Sequence, residues 1–400
     1  MNQDTPGPLA GLTVLDFGHT VLGPSCGLVL ADMGAEVIRI EPVQGDPTRR
    51  LKGFGTGYFG FFNRNKGSLS VDLKTDRGQA IAHKLIARAD ILIENFAPGA
   101  MTRLGLDYPT VSEINPRLIY ASLKGFLDGP YGQRLALDEV VQMMSGLAYM
   151  TGPSGRPLRA GSSIVDIAGG MFAVIGIMAA LRERDQTGKG ALVESALFES
   201  AVFLMGQHLC YSAQTEGRIP PMPERVSAWS VYDLFSVKDG RQVFVGITSD
   251  AHWRRFCTEA ERSDWLDDPG LQSNNQRIDA RERLMPLLQA FFAGKSLDEA
   301  VALCESARIP FSPIARPEDL FTDPHLSATE GLLPTRLPGG VQTTLPRLPI
   351  RLNTKGYGLR RDPPTSGQDN QPVLSGLGYS EQEIQALISE GVVGNLPDSD

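Results

Sequence analysis

The sequence is poor in the side chains that form disulfides and bind metals. Its four cysteines, Cys26, Cys210, Cys257 and Cys304, are widely spaced and include no Cys-x-x-Cys pair. This pattern favours reduced thiols, and we expect a cytoplasmic protein. The five histidines never stand at ligand spacing with cysteines or carboxylates, so the sequence predicts no metal site.

Excess positive charge and long apolar runs are also missing. The net charge is −8, which argues against a nucleic-acid partner but leaves room for a local cationic cluster that binds an anionic small molecule. The most apolar charge-free stretch, 167–181, is too short to span a bilayer. The first residues lack the basic and apolar regions of a signal peptide. We therefore expect no association with a membrane.

What the chain does contain is an alternation of strand-like and helix-like segments over its first 125 residues. Helices are predicted after the first strand, ending near Gly34, and at 76–89. The predicted strands are 12–17, 36–41, 68–73, 90–94 and 118–123. This alternation predicts an α/β fold with an open, parallel, Rossmann-like sheet covered by helices on both faces.

Two proline-rich stretches, 219–223 and 310–349, divide the rest of the chain. Between them, a predicted hairpin at 230–247 and charged helical segments indicate a smaller α+β domain. Those helices are expected at 251–261, 275–293 and 296–307, and a last helix at 380–389. The predicted organisation is a large domain (1–210), a linker (211–224), a small domain (225–312), a second linker (313–345) and a C-terminal part that returns to the large domain (346–400).

One acidic residue, Asp166, stands at the start of the apolar stretch 167–181. A carboxylate bordered by apolar sequence is costly to bury unless hydrogen bonds or a helix terminus stabilise it. Two interpretations remain open at this point. Asp166 is either the N-cap of an apolar helix or a nucleophilic or acid/base carboxylate presented at the helix start.

Cationic and amide side chains recur where the predicted strands end. Each alone is typical of a solvated surface position, and His19, after the first strand, is equally an ordinary loop histidine. Together they indicate a site for an anionic ligand, since ligands bind at the carboxyl ends of parallel strands and Lys and Arg hold phosphates. The other positions are Arg39, Asn65, Lys66, Asn95, Phe96, Arg103 and Lys124.

Two familiar motifs are incomplete. The first strand, turn and helix resemble a dinucleotide-binding unit, but Gly18 and Gly23 do not form the Gly-x-Gly-x-x-Gly fingerprint. Gly23-Pro-Ser-Cys-Gly27 matches the serine-hydrolase pattern, yet Ser25 falls well past the end of the first strand. A nicotinamide oxidoreductase and a hydrolase are therefore weak alternatives.

Taken together, the segments resemble the family III CoA-transferases of the CaiB/BaiF type, typified by formyl-CoA:oxalate CoA-transferase. The resemblance covers nearly the whole chain. It depends on the following segments: 8–17, 23–26, 34–41, 63–66, 94–99, 121–125, 145–146, 165–170, 187–190, 309–313 and 323–326.

The resemblance implies that Asp166 is a covalent nucleophile. It attacks an acyl-CoA donor, succinyl-CoA or similar, and passes CoA to a small organic or dicarboxylic acid through aspartyl anhydride and aspartyl-CoA thioester intermediates. Since an ordinary aspartate is ionised at neutral pH, and more so at a helix N-terminus, we expect no general base. No cofactor is expected to be bound permanently, because coenzyme A or acyl-CoA is a substrate.

Further implications concern CoA binding and assembly. The family's CoA contacts correspond to His19, Thr20, Lys66, Asn95, Phe96, Arg103 and Lys124, with Arg39 near them. The family also forms a homodimer of two interlocked chains. Its mobile glycine-rich loop corresponds to 249–252, which holds no glycine run, and its C-terminal Gly-Gln-His corresponds to 367–369, which ends in Asp369.

Two alternative functions compete with the CoA-transferase hypothesis. α-Methylacyl-CoA racemases use a histidine for proton exchange, and Leu137 occupies the corresponding position here. Leucine carries no proton to exchange, so the racemase hypothesis is weak. A non-catalytic acyl-CoA-binding accessory subunit is the other rival. Loss of the aspartate would mark such a subunit, and Asp166 is present.

Overall fold

The computed structural model describes residues 7–215, 217–225 and 227–394. Over these residues the chain forms two compact units. One contains the described residues up to Met222 and from His325 onward, and the other contains Pro223–Pro324.

The large unit is built on a six-stranded sheet of order β3-β2-β1-β4-β5-β6 in which every neighbouring pair is parallel. Its strands are β1 (Thr13–Asp16), β2 (Glu36–Glu41), β3 (Lys66–Ser70), β4 (Ile91–Glu94), β5 (Ile119–Lys124) and β6 (Ala191–Ala196). The predicted parallel α/β sheet is confirmed. The order reverses between β1 and β4, which is where open α/β sheets bind ligands.

Helices cover both faces of this sheet and enclose two apolar cores, one on each side. They are α1 (Leu22–Asp32), α2 (Thr56–Phe62), α3 (Asp76–Ile86), α4 (Ala100–Arg103), α5 (Tyr108–Ile114), α6 (Asp138–Met144), α7 (Leu147–Thr151), α8 (Ile164–Thr187), α9 (Leu197–Leu204) and α10 (Gly206–Thr215). Helix α8 has 24 residues and is long and apolar enough to cross a membrane by length and composition alone. It packs against α1, β5 and β6, as a core helix of a folded domain does.

The small unit contains a three-stranded antiparallel sheet that packs with its helices around a separate core. The predicted hairpin is confirmed by the pairing of β7 (Val231–Ser236) with β8 (Gln242–Ile247). The single helix predicted at 275–293 is wrong, because the helical path is interrupted at Ala280. The remaining elements are α11 (Asp250–Glu259), α12 (Ser263–Leu266), α13 (Asn274–Asp279), α14 (Arg281–Ala293), α15 (Leu297–Ser306) and β9 (Phe311–Pro313).

The C-terminal segment adds α16 (Pro324–Ala328), β10 (Leu332–Arg336), β11 (Gln342–Pro346), β12 (Arg351–Leu352), β13 (Lys355–Gly356), α17 (Asn370–Gly376) and α18 (Glu381–Ser389). The stretch 313–345, predicted as a linker, therefore contains much of a hairpin. Further on, Asp369 and Asn370 accept hydrogen bonds from the backbone N–H groups of Ser68 and Ser70, at 2.8 and 2.9 Å. Strand β3 is thus covered along its outer edge, which satisfies backbone groups that an edge strand exposes.

Candidate active site

Asp166 lies in the first turn of α8, not before it. The helix begins at Ile164, and its N-cap is Ser163, whose side chain makes no capping hydrogen bond. The interpretation of Asp166 as the N-cap is therefore wrong in position: the residue is the third of the helix, and its backbone is already helical. Its side chain still lies at the positive end of the helix dipole.

A different carboxylate occupies the capping position. Oδ2 of Asp138, on α6, accepts hydrogen bonds from the backbone N–H groups of Val165 (2.8 Å) and Asp166 (3.1 Å). Oδ1 of Asp138 accepts from the side-chain amide of Gln142. Asp138 is buried, whereas Asp166 is half-buried. The carboxylate of Asp166 accepts no hydrogen bond from any of the residues that the structure describes.

The electrostatic surroundings of Asp166 oppose its ionisation. Burial, which is the largest cause, and the negative charge of Asp138 together raise the pKa of Asp166 from 3.8 to about 7, although the guanidinium of Arg159 partly offsets them. The expectation that the helix start alone keeps this aspartate ionised is therefore wrong. The nearby Asp138 accepts from the N–H groups at the helix start, and desolvation outweighs the dipole.

Two glycines allow α8 to lie close to α1. A Cβ atom on Gly170 would come 2.1 Å from Oγ of Ser25, and one on Gly169 would come 2.9 Å from a methyl carbon of Leu22. These glycines therefore serve the close packing of the two helices. Ile167, on α8, packs against the small apolar cluster of Val21, Leu28 and Phe62, and Val21 belongs to the turn that follows β1.

That turn brings four predicted site residues together where the strand order reverses. The backbone N–H of His19 donates to Oδ1 of Asn95 (2.7 Å), and the side-chain amide of Asn95 donates back to the carbonyl of His19 (3.1 Å). The ring of His19 lies 5.6 Å from that of Phe96, and its Nδ1 is 3.1 Å from the hydroxyl of Thr20. Burial lowers the pKa of His19.

Thr20 itself has a left-handed backbone, with φ of 64°. This conformation is rare for a β-branched residue and costs conformational energy. Two hydrogen bonds between the backbone of His19 and the side-chain amide of Asn95 hold this turn in place. Strain of this kind is concentrated at binding and catalytic sites.

Lys124 and Arg103 lie on the next elements along the sheet. Nζ of Lys124 donates to Glu94 (2.6 Å) and to the carbonyl of Phe96 (3.2 Å), and the side chain is 25% exposed. Arg103 is exposed at the end of α4, and its guanidinium makes no hydrogen bond or ion pair within the described part of the chain. Arg103 is therefore an available cation, and Lys124 a partly available one.

Arg39 and Lys66, also predicted as site residues, are instead completely buried. Lys66 donates to Asp16 (2.7 Å), to the carbonyl of Pro24 (2.9 Å) and to Asn63 (3.2 Å). Arg39 bonds to Asp46 and to the carbonyl of Gly18. Since their donors face protein groups inside the fold, both cations support the turn after β1, and the predicted contacts of Arg39 and Lys66 with CoA stay a prediction.

The other motifs have structural explanations. Ser25 lies inside α1, is buried and donates to the carbonyl of Leu22 (2.8 Å), so the nucleophile elbow of a serine hydrolase is excluded. Leu137 is the residue before α6 and is largely exposed. In the region that corresponds to the family's glycine-rich loop, Ser249 caps α11 by accepting from the N–H of His252 (3.1 Å).

No group of three histidine, cysteine or carboxylate side chains is placed to hold a metal ion within the described ranges. Cys26, Cys257 and Cys304 are buried free thiols, and burial raises the pKa of each. Cys210 is free and exposed.

Sequence reasoning missed Asp138 and Gln142 as members of the site. Asp138 lies 28 residues before Asp166, and no local pattern connects an acidic residue on one helix with the start of another. The only available signal is the alignment of this stretch with the racemase motif. In that motif the informative position is the histidine, which corresponds to Leu137, and not the acidic residue that follows it.

Comparison with known proteins identifies the family to which this chain belongs. The profile of CoA-transferase family III matches residues 9–370, and the chain belongs to that family. The predicted family and enzyme class are therefore confirmed. A crystal structure of a CAIB/BAIF family protein from Brucella suis has a TM-score of 0.82 and 30% sequence identity, and the match covers 93% of this chain and 100% of that one.

Two relatives carry specific names. The succinyl-CoA:glutarate CoA-transferase of Homo sapiens is 31% identical, over 96% of this chain and 90% of that protein. The acetyl-CoA:oxalate CoA-transferase of Acetobacter aceti is 34% identical, over 89% of this chain and 92% of that protein.

Proposed function

We propose that the protein transfers CoA from an acyl-CoA donor, succinyl-CoA or a similar thioester, to a small organic or dicarboxylic acid. Asp166 is the nucleophile. The observation that carries this proposal is the state of its carboxylate, which is half-buried at the start of α8 and accepts no hydrogen bond from the described residues. A buried carboxylate without partners is costly, and such a group is typical of a site reserved for a substrate.

In the first half of the reaction, a carboxylate oxygen of Asp166 attacks the thioester carbonyl carbon. A C–O bond forms, the C–S bond breaks, and CoA leaves as the thiolate. The thiolate then attacks the aspartyl carbonyl carbon of this mixed anhydride. The donor acid leaves as a carboxylate, and an aspartyl-CoA thioester remains.

In the second half, the carboxylate of the acceptor acid attacks the aspartyl-CoA carbonyl carbon and displaces the thiolate. The thiolate attacks the acceptor carbonyl of the new anhydride, forms the product thioester and restores Asp166. No step transfers a proton, so no general base is needed once Asp166 is ionised. This agrees with the described part of the chain, in which no histidine is hydrogen-bonded to the carboxylate of Asp166.

We place CoA along the carboxyl edge of the sheet, over His19, Thr20, Asn95 and Phe96. Arg103 and Lys124 supply positive charge for its phosphates. Support comes from the contiguity of these residues where the strand order reverses, from the available guanidinium of Arg103, and from the strained backbone at Thr20. Arg39 and Lys66 act indirectly, by holding the turn that carries His19.

The choice of donor and acceptor class is supported by the relatives. Several relatives are named as CoA-transferases that pair succinyl-CoA with glutarate, L-malate, mesaconate or D-citramalate. The test is a matrix of acyl-CoA donors and carboxylic acids, with each new thioester identified by mass spectrometry. We expect exchange with at least one dicarboxylic acid. Tight CoA binding without exchange for any acid would contradict the proposal and favour an accessory subunit.

We further propose that the enzyme is cytoplasmic, not attached to membranes, and a homodimer of two interlocked chains. Support for a second chain comes from large apolar side chains that the single chain leaves exposed on α8, α9 and α10. Met171 is 54% exposed, Ile175 63%, Phe203 72% and Leu209 60%. Light scattering after size-exclusion chromatography should give twice the 43.3 kDa chain mass. A monomer at micromolar concentration would contradict the dimer.

A further inference from the structure

Asp138 contacts the helix start that carries Asp166. We propose that Asp138 is a positioning residue that caps α8 from a neighbouring helix and keeps Asp166 basic and without hydrogen-bond donors. This inference rests on the proposed role of Asp166 as the nucleophile. Asp138 itself touches no reacting atom.

The hydrogen bonds show that both carboxylate oxygens of Asp138 act as acceptors. Three donors point at its two oxygens: the N–H groups of Val165 and Asp166, and the side-chain amide of Gln142. The amide of Gln142 cannot be reversed, because its oxygen accepts from the backbone N–H of Ala160 at 2.9 Å. Each oxygen of Asp138 is therefore an acceptor, as in an anion.

This arrangement also links three segments. Through Gln142, which is fully buried, Asp138 connects α6 with the loop before α8. Through Val165 and Asp166 it replaces the missing side-chain cap of Ser163. The start of α8, and with it the backbone that carries Asp166, is thereby held by α6.

The consequence for Asp166 is chemical as well as geometric. Asp138 uses the N–H groups of Val165 and Asp166 at the helix start and places a negative charge beside the nucleophile, which disfavours the charged form of Asp166. The other charged group that acts on Asp166 is Arg159, which opposes Asp138 and is itself paired with Glu139. Tyr58, on α2, lies near Arg159. A more basic carboxylate with no hydrogen-bond donors is the stronger nucleophile.

The test separates the charge of Asp138 from its hydrogen bonds. Asp138→Asn removes the negative charge. It also places the new side-chain amide N–H group opposite that of Gln142, so that this pair has two donors and no acceptor. The double variant Asp138→Asn with Gln142→Glu restores all three hydrogen bonds and moves the negative charge away from the helix start. Glu183→Gln, which removes an exposed charge near the other end of α8, is the matched control.

The readout is the pH profile of kcat/KM for CoA exchange. We expect the acid limb of the wild type near pH 7 to move down by about one unit in Asp138→Asn and to stay lowered in the double variant. Thermal stability should fall in Asp138→Asn and return to the wild-type value in the double variant. The control should match the wild type. A double variant with a wild-type acid limb would overturn the charge role and leave only a structural one.

A second readout does not need activity. The pH dependence of carbodiimide labelling of Asp166, measured by peptide mass spectrometry without substrate, reports the protonation of this carboxyl. If the labelling midpoint moves down in both variants while the wild type exchanges no CoA, the role of Asp138 is supported and the proposed function fails. If exchange occurs but the midpoint does not move, the role of Asp138 is overturned and the proposed function stands.

Discussion

Asp16 and Asp166 belong to the same unit and have opposite surroundings. Asp16, at the end of β1, is completely buried and satisfied: it pairs with Lys66 at 2.7 Å, lies 3.7 Å from Arg39 and accepts the N–H of Gly18 at 2.9 Å. Asp166 is only half-buried, yet it lacks such partners among the described residues, and its pKa is raised to about 7. A carboxylate with complete partners holds the fold, and one left without them is available for chemistry.

The same contrast separates the cations. Lys66 and Arg39 resemble phosphate ligands in the sequence, but their donors are directed inward at Asp16, Asp46 and backbone carbonyls. Arg103 has the same residue type as Arg39 and stands exposed. Residue identity therefore predicts the charge, whereas the fold determines whether that charge reaches a ligand.

The largest effect is expected at Asp166. Asp166→Asn keeps the shape and removes the nucleophile, so CoA exchange should fall by at least about 1,000-fold. Steady-state kinetics with the best donor and acceptor measure this, and circular dichroism verifies the fold. Retention of more than a tenth of the wild-type activity would refute the role of Asp166.

Asp16→Asn should instead act on stability. It leaves the buried ammonium of Lys66 without its anionic partner, and we expect the free energy of unfolding to fall by about 3–5 kcal/mol. Chemical denaturation measures this. Adding Lys66→Met should recover part of the loss, since it removes the unpaired charge. If Asp16→Asn left the free energy of unfolding unchanged, the buried ion pair of Asp16 and Lys66 would not stabilise the fold.

Asp166 should cost the folded state stability at neutral and higher pH. Its pKa is raised above the ordinary 3.8, so the folded chain holds a proton that the unfolded chain releases between about pH 4 and 7. The contribution of Asp166 to the free energy of unfolding therefore falls as the pH rises through that window. Asp166→Asn should be more stable than the wild type by about 0.5–2 kcal/mol at pH 8, with the difference absent at pH 4. Equal stability of the two proteins at pH 8 would contradict the raised pKa.

The smallest effect is expected at the exposed cation. Arg103→Gln should raise KM for acyl-CoA by about three- to tenfold and leave kcat nearly unchanged, since it removes a phosphate contact distant from the thioester. Arg103→Lys should recover part of the affinity. Arg182→Gln, on the exposed surface of α8, is the control. A KM unchanged by Arg103→Gln would remove this residue from the binding site.

The parts of the fold that the sequence predicts well are those with continuous apolar strands between polar turns. Strands β1, β2, β4 and β5 lie within a residue or two of their expected ends. Strand β6 was not predicted, because the edge strand Ala191–Ala196 mixes exposed and half-buried positions and lacks such a run. The interruption at Ala280 has no signal in the sequence, because no glycine or proline stands within five residues of it.

For the site, the family resemblance identified Asp166 but not its surroundings. The shift from N-cap to third helical residue depends on the backbone angles of Ser163. The cap by Asp138 depends on the packing of α6 against α8, a tertiary contact that no sequence window contains. Both contribute to the raised pKa of Asp166, the proposed nucleophile, which the ordinary pKa of an aspartate does not predict.

The central claim is that Asp166 forms a covalent bond with the acyl donor. The most direct measurement is to incubate the enzyme with succinyl-CoA or another active donor, add hydroxylamine, and map the modified residue by peptide mass spectrometry. We predict an aspartyl hydroxamate at Asp166 that requires the donor and is absent in Asp166→Asn. Undiminished CoA exchange with no hydroxamate at Asp166 would contradict the account.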